Sequence, residues 1–138
     1  MSAESLEELA GEVGERFLDH ALNPRGQGLL AGEQGRARGV GTCGDSLEVT
    51  IQVAQGRIRE IGVEPHGCFF TVACGSALAV LAQGRELEAA LELEAGDLDR
   101  ELDGLPEDHL HCARLAVNTL GEAIEDYLRR ERAPRALP

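Results

Sequence analysis

The apolar positions begin with a helical period. Leu6, Leu9, Val13 and Phe17 are spaced by three, four and four, and Ser5-Leu6-Glu7-Glu8 has the form of a capping box. The pattern predicts an amphipathic helix that stops near Asn23-Pro24, because the residue before a proline avoids the helical region. The next stretch, RGQGLLAGEQGRARGVG, carries six glycines in 17 residues without a period and predicts a loop entering a short strand at Ala37 to Val40. From Ser46 the period becomes two: Leu47, Val49, Ile51 and Val53 alternate with Glu48, Thr50 and Gln52, marking a strand with one buried face. Gln55-Gly56 supplies a turn into a second strand, Arg57 to Glu64, which Pro65-His66-Gly67 ends.

Phe69 to Ala82 is apolar almost all round, the mark of a helix buried on most sides. Short helices follow at Arg85 to Leu91 and Asp97 to Leu102. Gly104 is suited to end the second of them, and Pro106 to open the last helix. In that last helix Leu110, Ala113, Val117, Leu120, Ile124 and Tyr127 or Leu128 form one stripe. Helix, strands and then helices is the order of an α+β domain with helices packed on one face of a small antiparallel three-stranded sheet. The expectation is one domain over residues 1–138, with 1–16 an N-terminal helical extension and 131–138 a frayed tail.

Composition narrows the function. Twenty-five acidic against 13 basic residues give a formal charge of -12, which opposes phosphate backbones and anionic membrane faces, and aromatics at 3% offer little for base stacking. Neither nucleic acid nor membrane is expected as a partner. The acidic, amphipathic start is unlike a signal peptide, and the chain reads as cytoplasmic. In a reducing compartment four cysteines point to metal binding or catalysis rather than disulfides.

Three of the cysteines stand at element boundaries. Cys43 lies in the turn TCGDS with Asp45 two residues on, Cys68 lies where the second strand meets the buried helix, and Cys112 follows His111 early in the last helix. A helix N-terminus lowers a thiol pKa, and the thiolate is the metal-binding form. A hairpin brings the start of its first strand near the end of its second, so Cys43 and Cys68 can be neighbours. Cys112, with Asp45 or His111, then completes a tetrahedral set for zinc or an iron-sulfur centre. Cys74 is inside the apolar helix, where a free cysteine behaves as a small hydrophobe. His20, His66 and His109 read as structural or surface histidines, the last two within two residues of a candidate ligand.

DHALNPRGQG (Asp19 to Gly28), CGD (Cys43 to Asp45), Gly67-Cys68 opening a small-residue helix, Gly75-Ser76-Ala77, QGR (Gln83 to Arg85) and LPEDHLHCARLA (Leu105 to Ala116) together resemble the IscU/NifU-type iron-sulfur cluster assembly scaffolds, from about Phe17 to Arg130. The resemblance implies an IscU/SufE-like α+β fold and a non-enzymatic scaffold. Such a scaffold takes sulfur as persulfide from a cysteine desulfurase, combines it with iron, holds a labile [2Fe-2S] cluster and passes it to apo iron-sulfur client proteins. It implies Cys43, Cys68 and Cys112 as cluster or zinc ligands, Asp45 as the residue that modulates lability, His111 as an alternative ligand, and Cys112 as persulfide acceptor. Iron or [2Fe-2S] is the implied cofactor, with zinc in the resting protein as a further expectation.

Two departures from the family pattern matter. The family's LPPVK, read by an Hsp70-type chaperone, is here Leu105-Pro106-Glu107-Asp108-His109, which weighs against that chaperone as a partner. The family's Gly-Ser-Ala follows its ligand cysteine directly, whereas here it follows Cys74, so Cys74 stands as an alternative to Cys68. The interval from Cys68 to Gln83 fits the family's spacing better than that from Cys74. On a helix starting at Cys68 the two thiols lie about 120° apart and ~9 Å along the axis, too far to share one metal easily. The alternative function is a zinc-containing SufU-like sulfurtransferase that accepts persulfide. That branch lacks a histidine beside its last cysteine, and His111 favours the scaffold.

Overall fold

A computed structural model describes residues 13–42 and 44–132. The capping box at Ser5, Leu6, Leu9, Cys43 and most of the C-terminal tail therefore lie outside the described residues.

Gln55 and Gly56 both take positive φ (55° and 74°). A two-residue turn of that hand matches the right-handed twist of paired strands, and it joins β2 (Ser46–Ala54) to β3 (Arg57–His66). β1 (Gly35–Val40) pairs antiparallel on the other side of β2, giving the sheet order β1-β2-β3. β3 runs two residues further than the sequence pattern predicts, through Pro65 to His66, and His66 pairs with Ser46.

The helices line the face carrying Leu47, Val49 and Ile51, all buried. These are α1 (Glu15–Leu22), α2 (Phe69–Ala82), α3 (Leu87–Leu91), α4 (Ala95–Glu101) and α5 (Leu110–Arg132). The period of the N-terminal segment predicts one helix through Val13, but α1 starts at Glu15 behind an extended Gly14. A side chain on Gly14 would run into Asp103, so the chain uses glycine to turn into α1 at that point. Pro106 precedes a 3-10 turn, Glu107–His109, rather than opening α5 itself. At the other end Glu131 and Arg132, expected in a frayed tail, are still helical.

The buried stripe of α5 is broader than the predicted one: Ala113, Leu120 and Ile124 are buried as expected, and a second row is buried beside them. Cys112, Ala116, Thr119 and Ala123 are buried, whereas Leu110 and Val117 are only half-buried. The cause is close approach to β1: a Cβ on Gly35 would strike the Ala123 carbonyl, and one on Gly39 the Thr119 hydroxyl. Small residues face each other across that contact, so the backbones pack closely.

The polar face of β2 is also not solvent. Thr50 is fully buried, because its Oγ1 accepts the Leu30 N–H at 3.0 Å and Gln52 Nε2 donates to the Ala31 and Gly32 carbonyls. The glycine-rich loop thus straps the second face, and Gly26 and Gly28 hydrogen-bond to Val63 along the open edge of β3.

A buried polar chain ties three helices together. His20 Nδ1 lies 2.6 Å from Ser76 Oγ and Nε2 lies 3.0 Å from Glu101 Oε2, while Ser76 Oγ also accepts the Arg25 N–H at 2.9 Å. The tautomer with Ser76 O–H donating to Nδ1 and Nε2–H donating to Glu101 satisfies each group. Two of the sequence motifs, DHALNPR and Gly-Ser-Ala, therefore meet as structural partners. His20 is held here, and its sequence reading as a hydrogen-bonded histidine fits.

Candidate metal centre

Register builds this site. Ser46 pairs with both Val40 and His66, so the residue before β2 and the residues after β3 arrive at the same end of the sheet. Asp45 thereby comes against Gly67: a Cβ on Gly67 would stand 2.9 Å from Asp45 Cβ and 2.6 Å from Thr71 Oγ1. On its other side the Asp45 carboxylate lies over Gly41, whose N–H donates to the Asp45 carbonyl at 2.7 Å. Two glycines leave the room that one buried carboxylate occupies.

α2 and α5 bring the sulfurs. Cys68 is the N-cap of α2 in extended conformation and is half-buried. Cys112, in the first turn of α5, is buried, with its Sγ 3.9 Å from Asp45 Oδ2 and 3.6 Å from His111 Nε2. Asp45, His111 and Cys112 each present a ligand atom within 4.8 Å of the others. Ligands of one tetrahedral ion with bonds of 2.0–2.3 Å stand about 3.3–3.8 Å apart, so a small closure converts this group into a binding set. Carboxylate oxygen, imidazole and thiolate suit iron or zinc, and the mixture binds less tightly than four thiolates.

Thr71 is the residue that sequence reasoning missed. It is buried, donates from Oγ1 to Asp45 Oδ2 at 3.2 Å, and lies 4.0 Å from Cys68 Sγ. The available signal was a hydroxyl three residues after Cys68 in an otherwise apolar turn, on the same face of the helix.

Of the other sequence candidates, Cys74 is buried inside α2, and that burial pushes its thiol well above the usual range, with the potential anions at Cys112, Cys68 and Asp45 adding to the effect. α2 is regular from Phe69, so Cys68 keeps the turn position and Cys74 lies about one and two-thirds turns further on. His109 stacks flat on Phe70, with ring centroids 3.7 Å apart, and so fixes the turn before α5 against the start of α2. His66 is exposed beside Glu64.

Residues 12–134 match the family described as NifU-like N terminal domain. The chain belongs to that family. It is 37% identical over 123 residues to the iron-sulfur cluster assembly scaffold protein IscU of Aquifex aeolicus, covering 87% of this chain and 78% of that one. It is 35% identical over 121 residues to IscU 1 of Archaeoglobus fulgidus, covering 84% and 76%. A bifunctional NifU/MnmA protein of Rubrobacter xylanophilus is 38% identical over 121 residues, of which this chain spans 25% of the length. In fold, the NifU-like N-terminal protein of Brucella abortus superposes with a TM-score of 0.65 at 20% identity, covering 87% of this chain and 95% of that one. The three-stranded sheet with its helices is thus the α+β fold of NifU-like structures. Among the described residues no helix is long and apolar enough to cross a membrane.

Proposed function

We propose that this NifU-like chain is a scaffold on which labile [2Fe-2S] clusters are assembled and from which they pass to apo iron-sulfur proteins. The observation that carries the reading is the convergence of Asp45, His111 and Cys112 within 4.8 Å, with Cys68 beside them across Thr71, in a chain 37% identical to a protein named as such a scaffold. Iron and sulfide are the cargo here. Cys43, Cys68 and Cys112 supply the thiolates that hold it. Asp45, with His111 as the alternative, supplies a harder donor that exchanges more readily and so lets the cargo leave.

Cys112 is the persulfide acceptor in this reading. Its thiolate attacks the outer sulfur of a desulfurase persulfide, the inner S–S bond breaks, and the partner leaves as a thiolate, so electrons balance without an added oxidant or reductant. His111 Nε2, 3.6 Å from Cys112 Sγ, is placed to take the thiol proton. His111 beside Cys112 supports the scaffold reading over the zinc sulfurtransferase.

Anaerobic reconstitution with ferrous iron, a cysteine desulfurase and cysteine tests the proposal. Visible cluster absorption is expected, and it should be lost on changing Cys43, Cys68 or Cys112 to Ser. Absence of those bands in the unaltered protein, or bands indifferent to all three changes, would overturn it.

A further inference from the structure

A polar side chain in a buried apolar helix needs a partner, and Thr71 has an unusual one. As the third residue after the N-cap Cys68 it sits where a side chain commonly turns back to cap the helix, yet α2 has no side-chain cap. Its hydroxyl is instead directed sideways to Asp45 Oδ2 at 3.2 Å. That same oxygen lies 3.9 Å from Cys112 Sγ, so Thr71 holds the side of the carboxylate that faces the candidate ligand sulfur. The space around the pair admits no side chain at Gly67, where a Cβ would meet both Thr71 and Asp45. Cys68 Sγ, 4.0 Å from Thr71 Oγ1, lies on the other side of the hydroxyl.

We propose that Thr71 is a positioning residue for metal binding: its hydroxyl fixes the rotation of the Asp45 carboxylate and holds Oδ2, the oxygen that faces Cys112, in place for the ion, while Oδ1 lies over Gly41. The inference rests on the reading of Asp45, His111 and Cys112 as a metal-binding group. A ligating carboxylate whose orienting hydrogen bond is removed loses both its preset geometry and part of its neutralised charge, and such losses lower metal affinity about 10–100-fold. Ser in place of Thr keeps the hydroxyl, and Val keeps the shape without it.

The test measures Zn2+ affinity by competition with a chromophoric chelator, and the ligand-field bands of bound Co2+, for the full chain and for T71V, T71S, D45A and D45A/T71V. Circular dichroism of each metal-free protein checks the fold. T71V should bind Zn2+ about 10–100-fold more weakly and shift the Co2+ bands. T71S should remain close to the unaltered protein, and T71V should add no loss in the D45A background. Unchanged affinity in T71V, or an equal loss with and without Asp45, overturns the inference while leaving the metal site standing. If the unaltered protein binds neither ion, the metal reading falls and the inference with it. T71A gives the same comparison should the buried valine disturb the helix.

Discussion

Asp45 and Cys112 are 67 positions apart in the chain, yet Cys112 Sγ stands 3.9 Å from Asp45 Oδ2 inside the structure. The contact joins the β1–β2 connection to the first turn of α5, and Asp45 meets the start of α2 through Thr71. Replacing Asp45 by Ala removes the exchangeable oxygen and should lengthen the life of a reconstituted cluster. Decay of its visible absorption in the presence of an apo acceptor measures this, and a cluster lost as fast as in the unaltered protein would count against the role.

Gly67→Ala tests the room that Asp45 and Thr71 need. The added carbon would come within 2.6 Å of Thr71 Oγ1 and 2.9 Å of Asp45 Cβ, so one of them must shift. Zn2+ affinity, measured by chelator competition, should fall by at least about tenfold while the far-ultraviolet spectrum is retained.

The thiols should react in order of exposure and ionisation. In the metal-free protein at neutral pH, iodoacetamide should label half-buried Cys68 before Cys112, and Cys74 last, because burial keeps the Cys74 thiol protonated. Peptide mass spectrometry over time resolves the order. Cys74→Ala should accordingly leave cluster reconstitution near the level of the unaltered protein.

Ser76 carries a buried chain whose loss has a calculable direction. Ser76→Ala leaves His20 Nδ1 and the Arg25 N–H without their partner, a cost of about 2 kcal/mol. Urea denaturation should show a lower midpoint with an unchanged slope.

Asp126 sets an acid limit on stability. Partial burial opposes its charge, but the Arg36 N–H, Arg129 and Arg130 outweigh that and hold its carboxyl below the usual range. A lowered folded-state pKa stabilises above the unfolded value of about 3.9 and is lost as pH falls through the folded one. Unfolding midpoints should therefore drop below about pH 4, and Asp126→Asn should flatten that dependence while costing about 1–2 kcal/mol at neutral pH.

Local pattern alone determined much of this protein. Period two marked β2, the two-residue turn at Gln55-Gly56 fixed its pairing with β3, and an all-round apolar run gave α2 from Phe69 to Ala82, residue for residue. These features depend on neighbours within a few positions, so they are legible in one dimension. The sequence also named Asp45, Cys68, His111 and Cys112 as candidates, because each is reactive and stands at an element boundary.

What required the tertiary structure was everything decided by contact between distant segments. The helical period continued through Val13, but the approach of Asp103 to Gly14 starts α1 at Glu15. Thr50 alternated like a surface residue until the glycine loop covered it. The stripe of α5 kept Ala113, Leu120 and Ile124 but widened to Thr119 and Ala123, because Gly35 and Gly39 let β1 approach its backbone. Thr71 drew no notice as one hydroxyl in an apolar helix. Only the strand register that carries Asp45 to Gly67 gives that hydroxyl a carboxylate to hold, since a hydrogen bond between residues 26 positions apart has no periodic trace in the sequence.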